Sequence, residues 1–205
     1  MLAGPNYDAQ SVSSMKLYNP ARQRLYINAE ERQRFLRATG AAAPQVQSLC
    51  LTLLLTGCRI SEALALTTSA VQPDAQTITF QTLKRRKTGV FREVPVPARL
   101  MVLLAEVHAL DMAMPHAPLW THGDRPLNRV TAYRWVKSVM ARADIIGAQA
   151  CPKGLRHGYG IHAIKCGVPL NMVQKWLGHA SMTTTAIYTN ALGADELAIA
   201  ERMWR

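Results

Sequence analysis

Residues 151–190 read CPKGLRHGYGIHAIKCGVPLNMVQKWLGHASMTTTAIYTN, and the prolines and glycines in that stretch divide it into short helices. Pro152 suits a first helical turn and opens a helix that runs through Arg156 to about Lys165, where Gly167 and Pro169 end it. Leu170 to Leu177 forms the next, ended by Gly178, and Ser181 caps another that carries Tyr188. Gly158 and Gly160 stand inside the first of these helices, where each costs about 1 kcal/mol relative to alanine; close approach of another backbone would explain them. The stretch gathers Lys153, Arg156, His157, His179 and Tyr188, which are cations, histidines and one phenol.

Upstream, Asn28 followed by Glu31 predicts a helix cap with an acidic third residue, and Phe35 and Leu36 supply an apolar face before Gly40. Pro44 opens a core helix through Leu49, Cys50, Leu53 and Leu54. Gly57 breaks it, and a third helix starts at Arg59 and runs to Leu66, with Glu62 one turn from Arg59 and able to hold its guanidinium. Gln76 to Leu83 and Val90 to Val96 alternate like strands and flank Lys84, Arg85, Arg86, Lys87, Thr88 and Gly89, so this segment is a hairpin with a basic turn. A helix follows from Pro97 to Leu110, then a loop through Pro115, Pro118 and His122-Gly123-Asp124. Asn128 caps a helix to about Ala143 that carries Arg129, Arg134 and Lys137 on a basic side. The pattern gives a mainly α fold with a small antiparallel β-sheet, an α+β class. Residues 1–26 show no sustained period and are expected as a flexible arm, with Lys16, Arg22 and Arg24 available to phosphates; residues 194–205 are expected as a short helix that must dock on something.

Composition narrows the partner. Among 205 residues, 24 are Lys or Arg against 13 Asp or Glu, and the resulting charge of +11 favours a polyanion such as nucleic acid or a membrane surface. The charge lies within segments that also carry hydrophobic periodicity, which points to a folded domain with a basic face. No apolar run approaches the roughly 20 residues that span a bilayer, and the N-terminus lacks the pattern of a secretory signal. Cys50, Cys58, Cys151 and Cys166 form neither a CxxC pair nor a dense framework, which fits reduced thiols in a bacterial cytoplasm, near the nucleoid if the partner is DNA. A metal site is not expected: no acidic residue lies between Lys153 and Tyr188, and His157 and His162 do not share a helix face.

In-line attack on a phosphodiester builds negative charge on two non-bridging oxygens, and without a metal this requires fixed cations, for which the planar arginine fork is suited. A tyrosine can be the nucleophile if cations and a hydrogen-bond partner favour its phenolate, and a lysine beside the phosphate can protonate the leaving oxygen.

Four motifs carry a resemblance. Gly57-Cys58-Arg59-Ile60-Ser61-Glu62, Lys87-Thr88-Gly89 ahead of Arg92-Glu93-Val94-Pro95, Lys153-Gly154-Leu155-Arg156-His157, and Leu177-Gly178-His179 with Tyr188 beyond it resemble the tyrosine recombinase (phage integrase) family in order and spacing over about residues 28–190. The resemblance implies that Arg59 and Arg156 clamp the scissile phosphate, that Lys87 protonates the leaving 5′ oxygen, that His179 bonds the phosphate or positions the nucleophile, and that Tyr188 attacks to form a 3′-phosphotyrosyl link. It implies no cofactor. Lys153 is expected in the catalytic set as well, although it stands where the family most often has histidine, and Glu62 and His157 match positions that support the arginines. Lys84, Arg85, Arg86, Arg129, Arg134 and Lys137 are candidate DNA contacts. The chain resembles the catalytic half of two-domain members, or the small single-domain members of the family, over residues 27–205, and no separate N-terminal core-binding domain is expected. The resemblance implies a site-specific recombinase of a bacterial or mobile element, acting as dimers or tetramers on double-stranded DNA sites and engaging partners through the C-terminal helix. Topoisomerase IB-like relaxation and a non-cutting DNA-binding accessory factor are the alternatives.

Overall fold

A computed structural model describes residues 16–82, 89–191 and 203–204. The local signals at the start of the chain do what they predict. Asn28 Oδ1 accepts the Glu31 N–H at 2.8 Å and Glu31 Oε2 accepts the Asn28 N–H at 2.9 Å, which closes a reciprocal cap on α1 (Ala29–Thr39). Pro44 begins α2 (Pro44–Thr56), whose Leu49, Cys50, Leu53 and Leu54 are buried, and Gly57 in the left-handed region ends it. The helix expected to start at Arg59 is shorter than its sequence suggested: α3 spans Ile60–Leu64, and Arg59 is its extended cap residue.

The basic hairpin is β2 (Thr77–Gln81) paired antiparallel with β3 (Phe91–Pro95), and β1 (Val71–Gln72) adds a short outer strand that the sequence did not announce. Ile78, Phe80, Arg92 and Val94 face inward, while Gln81, Phe91 and Glu93 face out, as alternation requires. The turn itself, with Lys84, Arg85, Arg86 and Lys87, lies outside the described residues. After α4 (Ala98–His108), the loop around Gly123 holds a further small hairpin, β4 (Thr121–His122) with β5 (Arg125–Pro126). Helices α5 (Arg129–Arg142), α6 (Pro152–Lys165), α7 (Leu170–Leu177) and α8 (Met182–Ala186) complete the order.

Helix α2 packs on α4, α5 and α6, and this is the centre of the main core. Every residue of α6 from Gly154 to Ile161 is buried, so that helix has no solvent face over two turns. A smaller apolar cluster around Tyr159, Ile161, Val173, Leu177 and Tyr188 lies on the far side of α6. Leu17 belongs to it. Residues 16–26, expected as part of an extended arm, fold back through a Tyr18–Arg24 bridge, and Arg24 pairs with the buried Glu31. Residues 194–202 and 205 of the expected C-terminal helix lie outside the described residues; Met203 and Trp204 are exposed. No helix among the described residues is long and apolar enough to cross a membrane.

Candidate active site

Two glycine helix stops and one buried helix bring the predicted residues together. Arg59 follows the Gly57 break, Arg156 and His157 sit one turn into α6, and His179 follows the Gly178 break. Arg156 fastens these pieces to one another: Nη1 donates to Gly57 O and Nη2 to Leu177 O, each at 2.8 Å. One guanidinium thus satisfies a carbonyl at the end of α2 and another at the end of α7, where helices leave carbonyls unpaired. Burial, with Arg59 nearby, pushes the Arg156 pKa down to about 10, so it stays charged at neutral pH.

Glu62 organises the other arginines. Its Oε1 accepts from Arg59 Nη1 at 2.6 Å, and its Oε2 accepts from the Arg59 backbone N–H at 2.9 Å and from Arg92 Nη2 at 2.7 Å. Burial alone would raise this carboxyl's pKa, but the Arg92 charge and these hydrogen bonds outweigh it and hold Glu62 below the ordinary carboxylate range. The Arg59 side chain keeps 21% exposure against 0% for Glu62, so Arg59 is the guanidinium of this group that an incoming anion meets first.

Tyr188 is fully buried. It lies two residues past the end of α8 and not within that helix, as its spacing had suggested. Its hydroxyl is 3.3 Å from His157 Nδ1, and its ring stacks on His179 with centroids 6.1 Å apart. Gly160 explains the fit: a Cβ there would lie 2.6 Å from the Tyr188 ring, and one at Gly158 would meet Ile27 at 2.4 Å. These glycines are the close approaches that their position in α6 called for. His179 Nδ1 is held by Thr185 Oγ1 at 2.9 Å.

Burial sets the protonation of all three rings. It raises the Tyr188 phenol to about 12 despite Arg156 and Arg59, and it lowers His157 to about 4 and His179 to about 3, with neighbouring cations adding to both. At neutral pH the phenol is protonated and both imidazoles are neutral. Among the described residues, five buried side-chain polar atoms lack a partner, and three of them, Arg156 Nε, His157 Nε2 and His179 Nε2, belong to this cluster. Such orphans are costly in a folded protein, and an anionic oxygen is the ligand that would satisfy them.

The structure brings together Arg59, Glu62, Arg156, His157, His179 and Tyr188. Lys153 is exposed at the start of α6, close enough for its charge to depress His157. Lys87 lies outside the described residues. On α5, Arg129 and Arg134 are exposed, and Lys137, also exposed, donates to Ala150 O at 2.9 Å, which joins that face to the loop before Lys153. Two participants were missed. Thr185 had no motif to mark it; Arg92 stood inside a quoted motif, but nothing in a strand pattern says that an inward-facing arginine will meet a carboxylate from another element. No group of three His, Cys, Asp or Glu side chains among the described residues could hold a metal ion.

Arginines, neutral histidines and the Tyr188 phenol, carried on separate segments, thus gather in one buried cluster whose donors suit an anionic oxygen. The model of the phage integrase family matches residues 26–194. A tyrosine recombinase of Thermosipho africanus is 30% identical over 151 residues, which are 73% of this chain and 51% of that protein. Among solved structures, XerH site-specific recombinase bound to difH substrate superposes with a TM-score of 0.71 at 21% identity, over 92% of this chain and 60% of that one. The catalytic domain of bacteriophage HP1 integrase gives 0.60 at 23% identity, over 86% of this chain and 94% of that one. The chain belongs to the phage integrase family, the tyrosine recombinases. It spans about half the length of the curated relatives it matches.

Proposed function

We propose that this chain is a site-specific DNA recombinase that cleaves and rejoins strands through a 3′-phosphotyrosyl intermediate. The observation that carries the reading is the convergence of Arg59, Arg156, His157, His179 and Tyr188 on one cluster that leaves three buried polar atoms without partners. Arg59 and the free N–H groups of Arg156 hold the non-bridging oxygens of the scissile phosphate, and His179 Nε2 donates to one of them. The bound phosphate anion offsets the cations that depress His157, and as the Tyr188 oxygen bonds to phosphorus its proton, made acidic by that bond, passes to His157 Nδ1 while the bond to the 5′ oxygen breaks. Lys87, on the hairpin turn, protonates that leaving oxygen. The new phosphodiester keeps the energy of the old one, so a 5′-hydroxyl from a second strand reverses the step without a cofactor. Since Tyr188 is buried, the segment after α8 shifts when DNA binds, so that the phenol meets the phosphate.

Lys84, Arg85 and Arg86 on the turn, with Arg129, Arg134 and Lys137 on α5, supply phosphate contacts whose strength falls with salt. Double-stranded recombination sites are the partner, paired by two or four copies of the chain that engage one another through residues 194–205. Residues 27–205 act as the catalytic domain. The test is a nicked duplex built on a site that the protein selects from a random-sequence DNA pool. A covalent, denaturant-resistant protein–DNA adduct forms with the native chain and is lost in Tyr188→Phe; an adduct that survives the change refutes the assignment.

A further inference from the structure

Arg92 is a motif residue that the mechanism leaves unused. It is 6% exposed, and its guanidinium reaches three segments: Nε donates to Trp176 O at 2.7 Å on α7 and Nη2 to Glu62 Oε2 at 2.7 Å on α3, while beside β2 Nη1 donates to Thr82 Oγ1 at 3.2 Å and Cζ lies 5.2 Å from the centre of the Phe80 ring. Gly178 makes room for it. A Cβ there would sit 3.0 Å from Arg92 Nη1, and the residue already has φ +66. Arg92 therefore spans from the hairpin strand to the carboxylate that holds Arg59 and to the helix end that precedes His179.

Stability is a poor explanation for this arrangement. Replacing a buried arginine–carboxylate–arginine network with apolar side chains is often neutral or stabilising, so its retention beside a reactive centre points elsewhere. Glu62 paired with Arg59 alone would be a neutral unit, with Arg59 committed to its carboxylate. With Arg92 on the second oxygen, the unit carries a net positive charge, and Arg59 can turn donors toward a phosphate while Glu62 stays satisfied.

We propose that Arg92 is a positioning residue for strand cleavage: through Glu62 it sets the orientation and charge of Arg59, and through Trp176 O it fixes the turn that presents His179. The assignment rests on the recombinase reading given above. It is tested by single-turnover adduct formation at saturating nicked DNA, with DNA affinity and thermal midpoint measured on the same samples. Arg92→Leu is expected to slow cleavage by roughly 10–100-fold while the Kd for DNA changes by less than about threefold, the signature of lost alignment and not of lost binding. Arg92→Lys restores the charge without the fork and recovers part of the rate, and adding Glu62→Gln to Arg92→Leu also recovers part, because no unpaired carboxylate then remains to hold Arg59.

A folded Arg92→Leu that cleaves at the native rate overturns the assignment. So does a deficit that follows the folded fraction in every variant, with neither Arg92→Lys nor the double change faster than Arg92→Leu. If Arg92→Leu does not fold, Arg92→Lys decides alone: a slower rate at unchanged affinity supports the assignment, and a native rate refutes it. If the native chain binds DNA and yields no adduct, the recombinase reading falls and takes this one with it.

Discussion

Lowering the pH from 7 to 5 should loosen this protein through two histidines that the fold keeps neutral. His157 and His179 are 0% and 4% exposed, and their pKa values are pushed down to about 4 and about 3 from an ordinary 6.5. Above pH 6.5 both rings are neutral in folded and unfolded chains and contribute nothing to the pH dependence. As pH falls below 6.5, the unfolded chain takes up protons that the folded chain refuses, so stability drops until the folded-state values are reached. The slope is about 1.4 kcal/mol per pH unit for each histidine, which gives roughly 2 kcal/mol each at pH 5 and roughly 4 together, a large part of the 5–15 kcal/mol that holds a domain together. His108, half-buried against Ser48 and Trp120 and lowered to about 4, adds a share comparable to that of His157 in the same window. Glu31 and Glu62, whose pKa values are depressed, lose their contribution only below the ordinary carboxylate range. Urea midpoints measured at pH 7, 6 and 5 should fall steadily, and replacing His157 and His179 together with glutamine should remove most of the fall. A flat profile in the native chain, or an undiminished slope in the double variant, refutes the reasoning.

Gly160→Ala places a methyl group 2.6 Å from the Tyr188 ring, so the ring must move by about an ångström to regain ordinary contact. Thermal unfolding should show a loss of about 1–3 kcal/mol, and difference absorbance against Tyr188→Phe should show the phenol titrating closer to its ordinary value of about 10. Thr185→Val keeps the volume and removes the 2.9 Å bond to His179 Nδ1. It should cost about 0.5–1.5 kcal/mol in stability, and nitrogen NMR of His179 should change from one tautomer to a mixture while adduct formation slows.

The parts of the fold that the sequence announced are those decided within a few residues. The Asn28–Glu31 cap, the Pro44 and Pro152 starts and the Gly57 and Gly178 stops all depend on backbone geometry that one or two side chains control. Phe80 and Arg92 face each other across the hairpin as alternation requires. Tyr188 was placed one step wrong, inside α8, because nothing local shows that the helix stops at Ala186 once His179 and Thr185 join. The two-residue strands β1, β4 and β5 are too short for any period to mark them. Residues 16–26 looked like a leader because their anchors, Leu17 in the Tyr159 cluster and Arg24 on Glu31, are contacts made across the chain.

The candidate site divides in the same way. Arg59, Arg156, His179 and Tyr188 stood out because their motifs resemble those of the family in order and spacing, whereas what each one touches depends on tertiary packing. Arg156 was expected as a phosphate clamp; what the structure shows is a guanidinium that ties two helix ends together through Gly57 O and Leu177 O.

The burial of α6 along its whole first half bears on how such a chain can diverge. Residues Gly154 to Ile161 meet protein on every side, and the helix carries Arg156 with its bonds to two other helix ends, so almost any substitution there disturbs the packing of several elements at once. The outer face of α5 has no such tie: Arg129, Val130, Tyr133 and Arg134 are exposed. Substitutions on that outer face leave the contacts around α6 untouched, so the two helices differ sharply in how much sequence change each can absorb.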